Sequence, residues 1–133
     1  MCDSVLHIDL RNWADICIVA PLSAHTLGKI ANGLCDDLLT CILRAWDFRN
    51  TKPIVLAPAM NTAMWEHPLT NTQLNTIKSL GRKEDKNAVV VVQPVAKTLA
   101  CGDIGIGALA ELDDIISKTK QCMEHVIGNV SVI

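Results

Sequence analysis

The 133-residue sequence predicts an α/β domain built on a parallel sheet. The runs ICIVA (16–20), PIVLA (53–57) and AVVVV (88–92) are near-continuous in apolar residues and rich in Val and Ile. Strands buried on both faces read this way, whereas half-solvated strands alternate. Between these runs lie segments with apolar residues at helical spacing. Strand–helix–strand–helix–strand order implies one sheet with right-handed crossovers.

In chain order, residues 4–13 read as a first short helix with Ser4 as its cap, followed by the strand at 16–20. Residues 23–45 place Leu27, Ile30, Ala31, Leu34, Leu38, Leu39, Ile42 and Leu43 at helical spacing, and Gly33 marks a break or a close packing point between two helices. After the second strand, residues 70–80 start on a capping-type Thr70 and stop at Gly81. The charged stretch RKEDKN (82–87) is a surface loop before the third strand. Residues 111–126 form a C-terminal amphipathic helix with Leu112, Ile115, Ile116, Thr119 and Met123 on one side, and 127–133 is a short, frayed tail.

Composition excludes several function classes. Half the residues are apolar, enough for a substantial core. The net charge of −2 has acids and bases interspersed, which gives no argument for nucleic acid or an anionic membrane. Aromatic residues make up 3%, with no tyrosine, against a stacking platform for single strands. No apolar segment reaches the ~20 residues of a membrane span. MCDSVLHIDL lacks the basic and apolar regions of a signal peptide. The six cysteines (2, 17, 35, 41, 101, 122) contain no CxxC pair, and His25, His67 and His125 have no metal-ligand spacing. The expectation is a cytoplasmic chain with reduced thiols and no metal.

Open parallel sheets bind ligands beyond the carboxyl ends of their strands. PLSAHT follows the first strand, PAMNTAMW the second and QPVAKTLACGDIGIGALAE the third. All three loops therefore fall on one edge. In the first, Ser23 and Thr26 sit near a helix start, where hydroxyls and backbone N–H groups suit an anion or a polar ring edge; Ser23 as a plain N-cap is the alternative. In the second, Asn61 can donate and accept, and so hold a carboxylate or an amide, with Met60, Met64 and Trp65 as an apolar wall; a turn with Asn in a left-handed conformation is the alternative. In the third, Cys101 stands in a C-G-x-x-G-x-G run, as a nucleophile, a proton donor or a packed thiol. His7, with Asp9 and Arg11 nearby, is a candidate base or an ordinary helix-surface His. Trp13, Trp46 and Trp65 are core or subunit-contact residues.

VLHIDLRNWAD, APLSAHTLGKIANGLCDDLLT, RAWD, KPIVLAPAMNTAMWEHP and LACGDIGIGALAE together resemble the phosphopantothenoylcysteine decarboxylase family, among the homo-oligomeric flavin-containing Cys decarboxylases. The resemblance covers about residues 4–120 and is carried by the motifs in combination. It implies a flavodoxin-like or Rossmann-like layer in trimers. It also implies FMN-dependent decarboxylation of phosphopantothenoylcysteine to phosphopantetheine in coenzyme A synthesis. On this resemblance His7 matches the active-site base and Cys101 the proton donor on a substrate-clamping flap. Asn61 matches the residue that holds the substrate carboxylate, with Ala100 and Leu109 beside the substrate. Ser23, Ala24, His25, Thr26 and Ala59 match positions that line the FMN. Departures stand at His25, Thr98 and Leu109, where relatives often carry Asn, a basic residue and Met. Relatives also carry a further strand and a Gly/Ser phosphate-binding loop ahead of VLHI. Residues 1–133 are therefore expected to form one domain that is the C-terminal two thirds of the family's, with an exposed sheet edge. The alternative function is a non-catalytic regulatory or partner subunit of a mixed trimer.

Overall fold

The computed structural model describes residues 5–50, 52–98, 102, 104–124 and 130–133. Strands β1 (Cys17–Leu22), β2 (Ile54–Pro58) and β3 (Val89–Val91) form a parallel sheet in the order β1-β2-β3. Cys17 lies beside Ile54, and Ile54 beside Val89. Every residue of the middle strand β2 is buried. Alternation along β2 divides the core in two. Ile54 and Leu56 face one cluster with Leu22, Leu27, Leu43, Trp46, Leu74 and Ile77, whereas Val55 and Ala57 face the other with Ile16, Val92, Ile115 and Cys122.

Helices α2 (Ala24–Ala31), α3 (Leu38–Arg44) and α5 (Pro68–Lys78) cover the first face, and α6 (Leu112–Met123) covers the second. Helix α1 (Leu6–Trp13) packs on α3 and buries no residue of its own. Trp13 is accordingly exposed, whereas Trp46 is buried and Trp65 packs against the core. The expected cap Ser4 lies outside the described residues, and Val5 at the N-cap position makes no side-chain cap.

The break predicted at Gly33 is real. Gly33 has φ +73, the left-handed turn that ends α2. The loop that follows is held by Lys29, buried on α2, whose Nζ lies 2.7 Å from Asp36 and 2.6 Å from Asp37. The Lys29 ammonium holds both carboxyls below their usual range. Asp37 also caps α3: its Oδ1 accepts from Thr40 N at 2.8 Å, and Thr40 Oγ1 accepts from Asp37 N at 3.2 Å.

Several expectations need correction. Helix α5 starts at Pro68, with His67 as N-cap through Nδ1, and Thr70 is buried inside it with its hydroxyl on the Met64 carbonyl. Pro at the first helical position loses no hydrogen bond, so it outcompetes Thr70 as the start. Only Ile115 and Cys122 of α6 are buried; Leu112 and Ile116 face outward. Residues 130–133 are not frayed: Ile18 N donates to Ile133 O at 2.7 Å and Ile133 N to Ile16 O at 3.0 Å. Val132 thereby forms a parallel bridge to Ile16 and covers the start of the outer edge of β1. Finally, the stretch read as one Gly-rich loop contains a hairpin, β4 (Val95–Thr98) and β5 (Ile104–Ala108), paired antiparallel.

No helix among the described residues is long and apolar enough to cross a membrane. No group of His, Cys, Asp and Glu among them is arranged to hold a metal ion.

Candidate functional site at the strand ends

The three parallel strands bring the PLSAHT, PAMNTAMW and hairpin segments to one edge of the sheet, as the strand assignments required. At the end of β1, Ser23 caps α2: its Oγ accepts from Thr26 N and donates to Thr26 Oγ1, both at 3.1 Å. The N-cap reading of Ser23 thus holds. Ala59 N donates to Leu22 O at 3.0 Å and ties the second loop to the first.

Asn61 is also an N-cap, of the short helix α4 (Thr62–Trp65). Its φ of −54 excludes the left-handed turn considered from sequence. Asn61 Oδ1 accepts from Ala63 N at 2.8 Å. One lone pair of the oxygen is therefore used within the loop, and the second lone pair and the two Nδ2 hydrogens keep both acceptor and donor capacity. The side chain can hold a carboxylate through Nδ2 or an amide through both groups.

The hairpin is clamped on this loop. Met60 N donates to Gly107 O at 2.9 Å. Gly107 has φ +140, and a Cβ there would run into the Met60 carbonyl oxygen, so only glycine fits. The result is a pocket of about 250 Å³ lined by Met60, Asn61, Thr62, Lys97, Gly105 and Gly107. Lys97 is the one ionic side chain among its described lining residues. Thr98 ends β4, exposed, opposite Ile104. The hairpin was not read from sequence, and Lys97 only as the basic neighbour of Thr98. The alternation Ile104-Gly105-Ile106-Gly107 was the available signal, at the period of a strand.

A second groove, about 330 Å³, runs beside the first loop between Ala24 and Leu27 on α2, Ala63 and Met64 on α4, and His67, Thr70 and Gln73 at α5. His25 is exposed at the same helix start. Leu109, half-buried, packs against the α6-side cluster just beyond the hairpin. His7, half-buried on α1, lines neither the Asn61 pocket nor this groove. Ala100 and Cys101 lie outside the described residues. A larger cavity, about 530 Å³, is elsewhere: it opens around Arg11, Leu34, Arg44, Trp46, Phe48 and Leu80, next to Ile54 at the amino end of β2. The chemistry-bearing loops are all at the other edge.

An open parallel sheet with its polar loops gathered at the carboxyl edge is the arrangement in which α/β proteins hold ligands. The chain belongs to the Flavoprotein family, whose model matches residues 1–124. Phosphopantothenoylcysteine decarboxylase of Mus musculus is 54% identical over 123 residues, 92% of this chain and 56% of the relative. Phosphopantothenoylcysteine decarboxylase HAL3 of Malus domestica is 56% identical over 131 residues, 96% and 57% of the two chains. The chain thus spans little more than half the length of these relatives. Among solved structures, a cysteine-to-serine PPC decarboxylase mutant complexed with pantothenoylaminoethenethiol matches with TM-score 0.81 at 51% identity, over 93% of this chain and 63% of that one. The FMN binding protein AtHal3 matches with TM-score 0.80 at 51% identity, over 96% and 64%.

Proposed function

We propose that this chain supplies the substrate-handling portion of an FMN-dependent phosphopantothenoylcysteine decarboxylase, a carboxy-lyase of coenzyme A synthesis acting in the cytoplasm as a homotrimer or mixed trimer. One observation carries the reading. Asn61 has its oxygen engaged by Ala63 N and its Nδ2 free beside a pocket under a Gly-fitted hairpin. A neutral donor pair holds a carboxylate without the full positive charge that would oppose its departure as CO2.

The groove beside α2 is compatible with FMN. Ala24 and Ala63 keep it open for a flat ring, Leu27 and Met64 make it apolar, and the capped start of α2 gives a polar rim. Of the positions matched to FMN, Ala24 lines this groove; Ser23, His25 and Thr26 at the same helix start, and Ala59 on the adjoining loop, would hold the cofactor from its rim. The chemistry FMN would supply there is reversible two-electron transfer. His7 would take the proton of the substrate thiol. Asn61 would fix the carboxylate, and Cys101 would deliver a proton to the carbon that carried it. A thiol of ordinary pKa, ~8.5, is a suitable acid toward a carbanion-like centre. Because His7 lines neither site cavity, His7 of one copy would work with Asn61 of another.

The test is the visible spectrum of the purified chain after incubation with FMN and desalting, with its size read on the same column. CO2 release from phosphopantothenoylcysteine is then assayed. Retained flavin on a trimer-sized species that releases CO2 supports the reading. A flavin-loaded species that leaves the substrate untouched refutes it.

A further inference from the structure

Outside the strand-end site, Cys35 and Cys41 meet at the start of α3. Cys35 lies two residues before the N-cap Asp37, and Cys41 is the fourth residue of the helix. The two residues therefore flank the capped first turn of α3. Cys41 Sγ donates to Cys35 O at 3.2 Å. Cys35 is exposed, Cys41 is half-buried, and both are free thiols. The loop that carries Cys35 has a defined path, because Lys29 grips Asp36 and Asp37 and Asp37 forms the capping box.

We propose that Cys35 and Cys41 are a reversible oxidation site that takes hydroperoxides and closes to an intrachain disulfide. The exposed Cys35 thiol gives up its proton and its sulfur attacks the peroxide O–O bond; with hydrogen peroxide this gives Cys35 sulfenic acid and hydroxide, which takes up that proton as one water. Cys41 Sγ then attacks Cys35 Sγ. The S–S bond forms, the S–O bond breaks, and the oxygen leaves as a second water with the Cys41 proton. Two thiols are oxidised by two electrons and one peroxide is reduced.

The order of attack follows from the surroundings. Burial pushes the Cys41 thiol up, and the charge and hydrogen bond of Cys35 and the nearby Asp37 and Asp36 carboxylates push it the same way. Lys29 is shared between the two carboxylates, and the Arg44 side chain lies against Gly33. Cys41 is therefore the resolving thiol and Cys35 the one that meets the oxidant. The disulfide replaces a packing contact by a covalent one and pins the segment after Gly33 to α3. Gly33 and Leu34 of that segment line the large cavity, so oxidation fixes one of its walls.

Both cysteines fall in one tryptic peptide, Ile30–Arg44. The reduced full chain is treated with hydrogen peroxide, quenched, and alkylated with N-ethylmaleimide under denaturing conditions. The expected peptide is unalkylated, lighter by two hydrogen atoms, and restored by dithiothreitol. In Cys41→Ser, Cys35 is expected to stop as a sulfenic acid that dimedone traps. In Cys35→Ser, loss of alkylation at Cys41 is expected to slow by at least roughly tenfold. A peptide still alkylated at both cysteines while Cys17 or Cys122 oxidises overturns the proposal. So does a Cys35 disulfide that links two chains.

Discussion

Gly107→Ala separates the hairpin from the Asn61 loop and so tests what holds the site together. The wild-type residue has φ +140, a region nearly reserved for glycine that costs another residue ~1–3 kcal/mol. The new methyl would run into the Met60 carbonyl oxygen, which is backbone and cannot rotate away. Forced overlap of this kind in a packed region costs ~1–3 kcal/mol. Relieving it by moving the hairpin breaks the 2.9 Å bond from Met60 N to Gly107 O, worth ~1 kcal/mol. These routes are alternatives in part, so the expected loss is about 3 kcal/mol, large beside the 5–15 kcal/mol total of an ordinary domain. Urea unfolding followed by tryptophan fluorescence reads it, since Trp65 lies next to the perturbed loop in α4 and packs against the core. A Gly107→Ala chain within ~0.5 kcal/mol of wild type, the range of ordinary surface changes, would refute the clamp.

Asn61→Asp should keep the N-cap and stay within ~0.5 kcal/mol of wild type in urea, whereas Asn61→Ala should lose ~1 kcal/mol. Both should abolish carboxylate binding by calorimetry, Asp by repulsion and Ala by loss of the donors; an Asp variant that binds normally would remove Asn61 from the substrate site. The Lys29 clamp sets two pH limits. Asp36 and Asp37 have folded pKa values lowered by Lys29, so their contribution is present above the unfolded value of ~4 and is lost as pH falls through the folded values. Lys29 is raised by the hydrogen bonds to Asp36 and Asp37, so its contribution is present below the unfolded value of ~10.4 and is lost as pH rises through the folded one. Lys29→Met should flatten both limbs of a thermal-melt series against pH, and unchanged limbs would show that the loop does not depend on the pair. In a flavin-loaded assembly, Cys101→Ser should release CO2 but accumulate the oxidised enethiol product, read by mass spectrometry. His7→Asn should leave flavin content unchanged and block substrate oxidation. Normal turnover in either variant would end that residue's assignment.

Much of the scaffold was legible because burial on both faces and helical spacing leave direct traces in sequence. ICIVA, PIVLA and AVVVV became β1, β2 and β3, and parallel order alone placed their following loops on one edge. Gly33 marked the break between α2 and α3 because few other residues tolerate its φ of +73. Short-range competition was harder to read. Thr70 looked like a helix start, but His67 and Pro68, just ahead of it, already satisfied the first turn. Asn61 read as a ligand-holding amide or a left-handed turn residue, and its role as N-cap of the four-residue α4 was not foreseen.

Other features depend on contacts between segments distant in sequence. The glycines of IGIGA concealed a strand, because its partner is VAKT and its floor is the Met60 carbonyl. The last residues looked frayed because nothing local orders them; the unpaired N–H and C=O groups of Ile16 and Ile18 do. Cys35 and Cys41 formed no recognisable spacing, yet Lys29 and the Asp37 cap bring them together. The sequence by itself determined the layers, the strand direction and the residue types gathered at the ligand edge, since burial and propensity are local properties. Only the tertiary structure decided which hydrogen-bonding atoms remain free. Met60 N donates to Gly107 O and Ile133 N to Ile16 O, pairings between segments far apart in the chain that no local pattern encodes.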